Sequence, residues 1–257
     1  MARTTTIRFP GGSGFELAGT IVEPDTGHAR NWALLSHCFT CNRNYKVLAN
    51  VSRVLADLGW GVMRFDFTGL GDSGGSFEDT TLSSNIQDVI AAANHLAANY
   101  GSPDLFVGHS LGGAAGILAA KQIESLRCLA TIATPANPAK LARLFSEANR
   151  TAWEGDPETV AHVQVSGRMM PFKAKFLADI AQYDLTEEIT TLGLPVLLFH
   201  SPADTTTSVH NAERLFEAAG HPKSFVSLGD SDHLVSKRED AEMIGRILAA
   251  WAVRYVG

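Results

Sequence analysis

The sequence predicts an α/β domain: a sheet of about eight mostly parallel strands, helices on both of its faces, and a small helical cap. Three observations carry that expectation. Short apolar runs alternate with longer stretches of helical periodicity over most of the chain. The alternation pauses once, over residues 137–192, where helical pieces follow one another without a clear strand. A length of 257 residues, 45% hydrophobic and 19% charged, suits one large domain with a small insertion.

The first elements read as a hairpin, because TTIRFP and FELAGTIVEP alternate in polarity and are separated by GGSG. The period then changes. WALLSHC is a buried strand, YKVLANVSRVLADLG an amphipathic helix and GVMRFDF the next strand. A long helix (TTLSSNIQDVIAAANHLAANYG), a strand (PDLFVGHS), a small-residue helix (LGGAAGILAAKQI) and another strand (LRCLATIATP) repeat the unit. Such alternation implies a parallel sheet covered on both sides. Within residues 137–192, AKLARLFSEANR, ETVAHVQVSGRM and KAKFLADIAQY are expected as helices of the cap. The sheet resumes at PVLLFHSPAD, followed by SVHNAERLFEAAG (helix), KSFVSLGDSDH (strand) and DAEMIGRILAAWAVRYV (helix). One domain over residues 1–257 is expected, without internal repeat or interdomain linker.

A formal net charge of −6 and nine scattered histidines disfavour nucleic acid or an anionic membrane as partner and point to a small molecule. MARTTTIRFPGG lacks the apolar core of a signal peptide, and no run approaches the roughly 18 apolar residues of a spanning helix, so a cytoplasmic protein is expected. Three cysteines are an odd, low count for a disulfide framework. Oligomeric state is left open.

Gly108, His109, Ser110, Leu111 and Gly112 spell G-x-S-x-G between an entering strand and a leaving helix. That context makes the match a nucleophile elbow, in which a strained strand-to-helix turn projects a serine hydroxyl from the sheet edge. Without those flanks it would be a glycine-rich turn with an incidental serine. Serine needs a basic partner and a carboxylate to orient it, in the order Ser, Asp, His. Asp204 follows the strand PVLLFH and His233 follows KSFVSL, both at the carboxyl edge where ligands collect in open α/β sheets. Asp230 and Asp232 read instead as turn formers or solvated charges. His200 lies within its strand, His210 within a helix, and His221 opens a strand.

SHCFTCN, residues 36–42, carries Cys38 and Cys41 at the spacing of redox dithiols and zinc ligands. No further metal ligand at compatible spacing and no redox fold accompanies them, so neither metal nor cofactor is expected. The segment follows the third strand, whose loop supplies one of two main-chain oxyanion donors; by position the donors are Phe39 and Leu111. His37 is expected to brace this loop, and Cys128 to be a buried apolar residue. Gly69, Gly71 and Gly74 match G-x-G-x-x-G after RFDF, but no helix follows, and Asp88, the acidic residue about 20 positions on, falls inside a helix. The loop reads as permissive backbone rather than a dinucleotide site.

HCFTCNRN, RFDFTGLGDSGGSF, SSNIQD, GHSLGGAA and DSDHLVSKREDAE together resemble the α/β-hydrolase superfamily across nearly the whole chain. They are most similar to the hydrolase domain that precedes OsmC-type hydroperoxide-reductase domains in bacterial fusion proteins. The resemblance implies the α/β-hydrolase fold and a serine esterase with Ser110, Asp204 and His233 as its triad. The sequence ends at Gly257, after the last hydrolase helix, so peroxidase activity is not carried over. A small-molecule carboxylic ester is the expected substrate, with Phe39, Met169, Met170, Phe172 and Phe176 as apolar pocket candidates; the four cap residues fit a role as the cap's own core equally well. A short cap without a basic cluster favours small to medium, uncharged acyl groups. Thioesterase, peptidase or perhydrolase chemistry would use the same triad, and a thiol redox protein built on Cys38 and Cys41 is the alternative from another class.

Overall fold

The computed structural model describes residues 2–25, 27–165 and 168–257. Met1 and Thr26, inside the expected domain, and Ser166 and Gly167, inside the expected cap, lie outside the described residues. An antiparallel pair, β1 (Arg3–Pro10) and β2 (Glu16–Glu23), opens the chain with Arg3 opposite Glu23. Then come β3 (Trp32–Ser36), α1 (Lys46–Asp57), β4 (Gly61–Phe65), α2 (Leu82–Asn99), β5 (Pro103–His109), α3 (Leu111–Ala119) and β6 (Cys128–Ile132). An insertion follows, consisting of a 3₁₀ turn (Pro138–Leu144), α4 (Glu147–Gly155), β7 (Ala161–Val165), β8 (Arg168–Phe172), α5 (Ala174–Ile180) and α6 (Leu185–Thr190). The chain closes with β9 (Val196–His200), α7 (His210–Ala218), β10 (Lys223–Ser227) and α8 (Arg238–Ala252).

Eight strands form one sheet in the order β1-β2-β4-β3-β5-β6-β9-β10, and β2 alone runs against the others. The expected mostly parallel sheet is therefore present. Successive side chains of a strand point to opposite faces, and the central strands are apolar on both. Leu34, Met63, Phe106, Leu129 and Leu198 pack with α2 and α3 on one side. Their neighbours Ala33, Leu35, Val62, Leu105, Val107 and Leu197 pack with α1 and α8 on the other. Helix α2 starts where serine and threonine capping places it: Ser84 N–H donates to Thr81 Oγ1 at 3.1 Å, and Thr81 N–H to Ser84 Oγ at 2.9 Å. Among the described residues, no helix is long and apolar enough to cross a membrane.

The insertion is not wholly helical. In place of a helix over ETVAHVQVSGRM, β7 and β8 form an antiparallel hairpin with Ala161 opposite Phe172 and Val165 opposite Arg168. The pattern is two-residue: Ala161 and Val163 are buried while His162 and Gln164 are exposed, and Met170 and Phe172 are buried while Met169 is exposed. Pro171, which a helix interior would not tolerate, fits an isolated two-stranded edge. The hairpin is tied to the loop after β3, because Arg168 Nη1 donates to Thr40 O at 2.8 Å.

Helix α3 lies close to the sheet because it is rich in small residues. A Cβ on Gly116 would overlap the Phe106 ring. Valine in place of Gly116 is expected to lower unfolding stability by about 1–3 kcal/mol, overpacking outweighing the helix-propensity gain of under about 1 kcal/mol. Urea denaturation of Gly116→Val measures this, and an unchanged or raised midpoint would contradict the close-packing account.

Candidate functional site

Ser110 joins β5 to α3 with φ 55° and ψ −122°, in the left-handed half of backbone space that few residues other than glycine adopt. Its surroundings hold it there. Ser110 N–H donates to Ile132 O at 2.8 Å, and its carbonyl accepts from Gly113 N–H at 3.0 Å and from Thr134 Oγ1 at 3.1 Å. Neither flanking glycine has room for a side chain: a Cβ on Gly108 would meet the Gly113 backbone, and one on Gly112 the carbonyl of His37.

Two further sheet edges deliver Asp204, after β9, and His233, after β10. Ser110 Oγ–H donates to His233 Nε2 at 3.1 Å, and His233 Nδ1–H donates to Asp204 Oδ2 at 2.7 Å. The other carboxylate oxygen, Oδ1, accepts from the N–H groups of Thr206 and Thr207, both at 2.8 Å. Burial alone would raise the Asp204 pKa. Hydrogen bonds from His200 and His233, the His233 charge and the Thr207 N–H outweigh it and hold the carboxyl well below the usual range. Asp204 therefore stays ionised beside the imidazole it orients. An imidazole so placed can take the serine proton and return it later. The N–H groups of Phe39 and Leu111 bond to no acceptor among the described residues, and both residues line the cavity of about 370 Å³ that contains Ser110 and His233.

The competing residues are engaged elsewhere. Asp230 pairs with Lys237 at 2.7 Å, Asp232 accepts from Ser236 N–H at 2.8 Å, and His210 contacts Glu213 at 2.9 Å. His200 donates to Thr207 O at 2.7 Å and lies 3.4 Å from Asp204 Oδ2. His37 is fully buried; its Nδ1–H donates to Cys38 O at 2.7 Å and its Nε2 accepts from Phe67 N–H at 3.2 Å, so the neutral ring clamps the loop after β3 to the end of β4. The glycine loop encloses an anion of the chain's own. Asp66 pairs with Arg43 and accepts from Asp72 N–H at 2.9 Å, while a Cβ on Gly71 would strike its carboxylate. Asp88, on α2, accepts from Thr68 N–H at 2.8 Å, and burial pushes its carboxyl upward.

Of the pocket candidates, Phe39 lines the cavity; Met169, Met170, Phe172 and Phe176 do not. Met169 is exposed, and the other three are buried in the cap, where Phe172 lies tilted against Phe39 and Phe176 stacks on it at ring separations of 5.6 and 5.1 Å. They support the wall from behind. The expectation of no basic cluster is corrected as well, since folding brings Arg214 of α7 to the cavity beside Lys140 and Arg143 of the 3₁₀ turn. Cys38 and Cys41 form a disulfide in the loop after β3, a pairing that the low cysteine count did not suggest, and Cys128 is a buried free thiol.

His109, the variable residue of G-x-S-x-G, was missed by motif reading. Its Nε2–H donates to His233 O at 2.8 Å, so it anchors the loop that carries the imidazole. A histidine one residue before the turn, at the end of a strand, was the available signal.

The alpha/beta hydrolase family profile matches residues 27–254. The chain belongs to the alpha/beta hydrolase family. Among solved structures, the hydrolase superimposes on the esterase domain of a Rhodothermus marinus protein with a TM-score of 0.81 and 38% identity, covering 99% of this chain and 100% of that one. Est1E from Butyrivibrio proteoclasticus with ferulic acid bound gives a TM-score of 0.83 at 18% identity over 96% and 98% of the two chains, a likeness of fold alone. The uncharacterized protein YfhR of Escherichia coli O157:H7 is 22% identical over 232 residues, which is 89% of this chain and 72% of YfhR.

Two buried imidazoles link this site to stability. Burial lowers the His37 pKa, and burial together with the charge of His233 pushes His109 down to about 3. The unfolded chain protonates both near pH 6.5, so stability is complete above that pH and falls as pH drops; for His109, with its folded pKa at about 3, the slope approaches about 1.4 kcal/mol per pH unit. Asp204 adds to the loss below about pH 4, because its folded pKa is depressed. Replacing His109 with Phe should lower the slope of unfolding free energy between about pH 6 and 4.5 by up to about 1.4 kcal/mol per pH unit. Denaturant titrations at several pH values test it, and an unaltered slope in His109→Phe would assign the protons elsewhere.

Proposed function

We propose that the hydrolase is a carboxylesterase that cleaves small to medium acyl esters through Ser110, His233 and Asp204. The observation carrying this reading is the unbroken hydrogen-bonded chain from Ser110 Oγ through both His233 nitrogens to Asp204 Oδ2, at a cavity also lined by Phe39 and Leu111, whose main-chain N–H groups have no acceptor among the described residues. His233 Nε2 takes the Ser110 proton as Oγ attacks the ester carbonyl. The N–H groups of Phe39 and Leu111 receive the oxyanion, and Asp204 stabilises the imidazolium. The alcohol leaves with the proton from His233, and water, activated by the same imidazole, releases the acid.

Support comes also from the 38% identity to a protein described as an esterase domain. A cavity of about 370 Å³ suits a short acyl group better than an extended lipid chain. Kinship with the hydrolase domains that precede OsmC-type domains belongs to the same reading and rests on GHSLGGAA and DSDHLVSKREDAE. The thiol alternative is less well supported, because Cys38 and Cys41 are buried in a loop, four or more residues short of the start of α1 at Lys46.

Ser110→Ala should lower p-nitrophenyl acetate turnover by roughly 10⁴-fold or more, and a fluorophosphonate probe should label wild type but not the variant. A variant that kept most of its turnover would sink the proposal. Along a series of p-nitrophenyl esters from acetyl to palmitoyl, kcat/KM is expected to peak among the short and medium chains; a maximum at palmitoyl would contradict the substrate class.

A further inference from the structure

The cavity above Ser110 has an unbalanced charge. Lys140 and Arg143 reach it from the 3₁₀ turn Pro138–Leu144 and Arg214 from α7, and neither aspartate nor glutamate is among its described lining residues. This occurs in a chain of formal net charge −6. Part of the positive charge is already answered, because the Arg214 charge acts on the carboxylate of Asp184 and helps to lower its pKa. The other two cations are not. Among the described residues Lys140 has no ion pair, and the only polar partner of the Arg143 guanidinium is Thr206 O at 3.5 Å. Asn137 lines the same cavity, and its carboxamide, with Oδ1 buried, makes no hydrogen bond within the described chain. Its NH₂ group is thus available to a ligand.

Resting on the esterase reading of Ser110, we propose that the preferred substrate carries a carboxylate in addition to the scissile ester, and that Lys140 and Arg143 hold this carboxylate while Asn137 donates to it. The substrate class is then half-esters of dicarboxylic acids, or esters whose alcohol portion bears an acid. A guanidinium offers paired N–H donors to a carboxylate and an ammonium adds a point charge, so the two together discriminate against a neutral group of the same shape. The attraction acts at a partly open rim and is therefore screened by salt.

Two matched pairs test the proposal and separate the two sources of the anion. Mono-p-nitrophenyl adipate against p-nitrophenyl hexanoate places the carboxylate on the acyl side; 4-acetoxybenzoate against its methyl ester places it on the alcohol side. Each kcat/KM is divided by the rate constant of hydroxide-catalysed hydrolysis, to remove intrinsic reactivity. The anionic member of at least one pair is expected to be favoured about tenfold at low salt, chiefly through KM, and less at about 0.5 M salt. In Lys140→Gln/Arg143→Gln that ratio should fall to within about twofold of one, and in Lys140→Glu/Arg143→Glu it should invert. Both cations are exposed, and thermal melting checks that the variants fold. Turnover of the neutral esters without an anionic preference in either pair overturns the inference and leaves the esterase standing. A preference that survives in both double variants also overturns it. Failure to hydrolyse any of the four esters rejects the esterase reading itself and takes the inference with it.

Discussion

Ser110 is held in a backbone conformation that costs an L-residue about 1–3 kcal/mol, and the groups that enforce it come from three neighbouring strands. Gly112 touches the carbonyl of His37 beyond β3, Ser36 Oγ donates to Gly112 O at 3.0 Å, and Ile132 and Thr134 at the end of β6 bond the serine backbone. Relaxing the turn would require these strands to separate. The parallel sheet is therefore what keeps the hydroxyl projecting and leaves the Leu111 N–H without an acceptor among the described residues, and both properties depend on the glycines that let α3 approach.

Around that turn, two neutral histidines do work that the motif does not announce. His37 ties the loop bearing Phe39 to β4, and His109 ties the loop bearing His233 to β5. Each uses one ring nitrogen as donor to a main-chain carbonyl, and each is buried deeply enough that its cationic form is disfavoured. The loops that carry Phe39 and His233 are thus held by buried groups whose charged form is disfavoured. The cap adds an apolar counterpart, with Phe39 packed against Phe172 and stacked on Phe176, and Arg168 bonded to the carbonyl of Thr40.

The sheet, its order of elements and the edge carrying Ser110, Asp204 and His233 were legible because hydrophobic period and chain order are local signals. The hairpin β7–β8 was not, since five alternating residues within a stretch expected to be helical give only a weak period. Met170, Phe172 and Phe176 could be sorted into cap core rather than pocket wall only once the fold was known, because the same apolar types serve both. Lys140 and Arg143 are neighbours on one 3₁₀ turn but Arg214 lies far from them in sequence, and their shared field exists only after the insertion folds back beside α7. The role of His109 follows from the distance between two loop ends, which no spacing rule encodes.

The glycine loop after β4 shows what decides the meaning of a phosphate-like fingerprint. Its turn, its left-handed glycines at positions 69 and 71 and its inward N–H of Asp72 are those of an anion receptor, yet the anion is Asp66, six residues back along the same chain. The tethered carboxylate already takes the Asp72 N–H and the Arg43 guanidinium that an external anion would need. The receptor is thus filled by its own polypeptide, and its donors contribute to the cohesion of Arg43, Asp66 and Asp72 instead of to recognition.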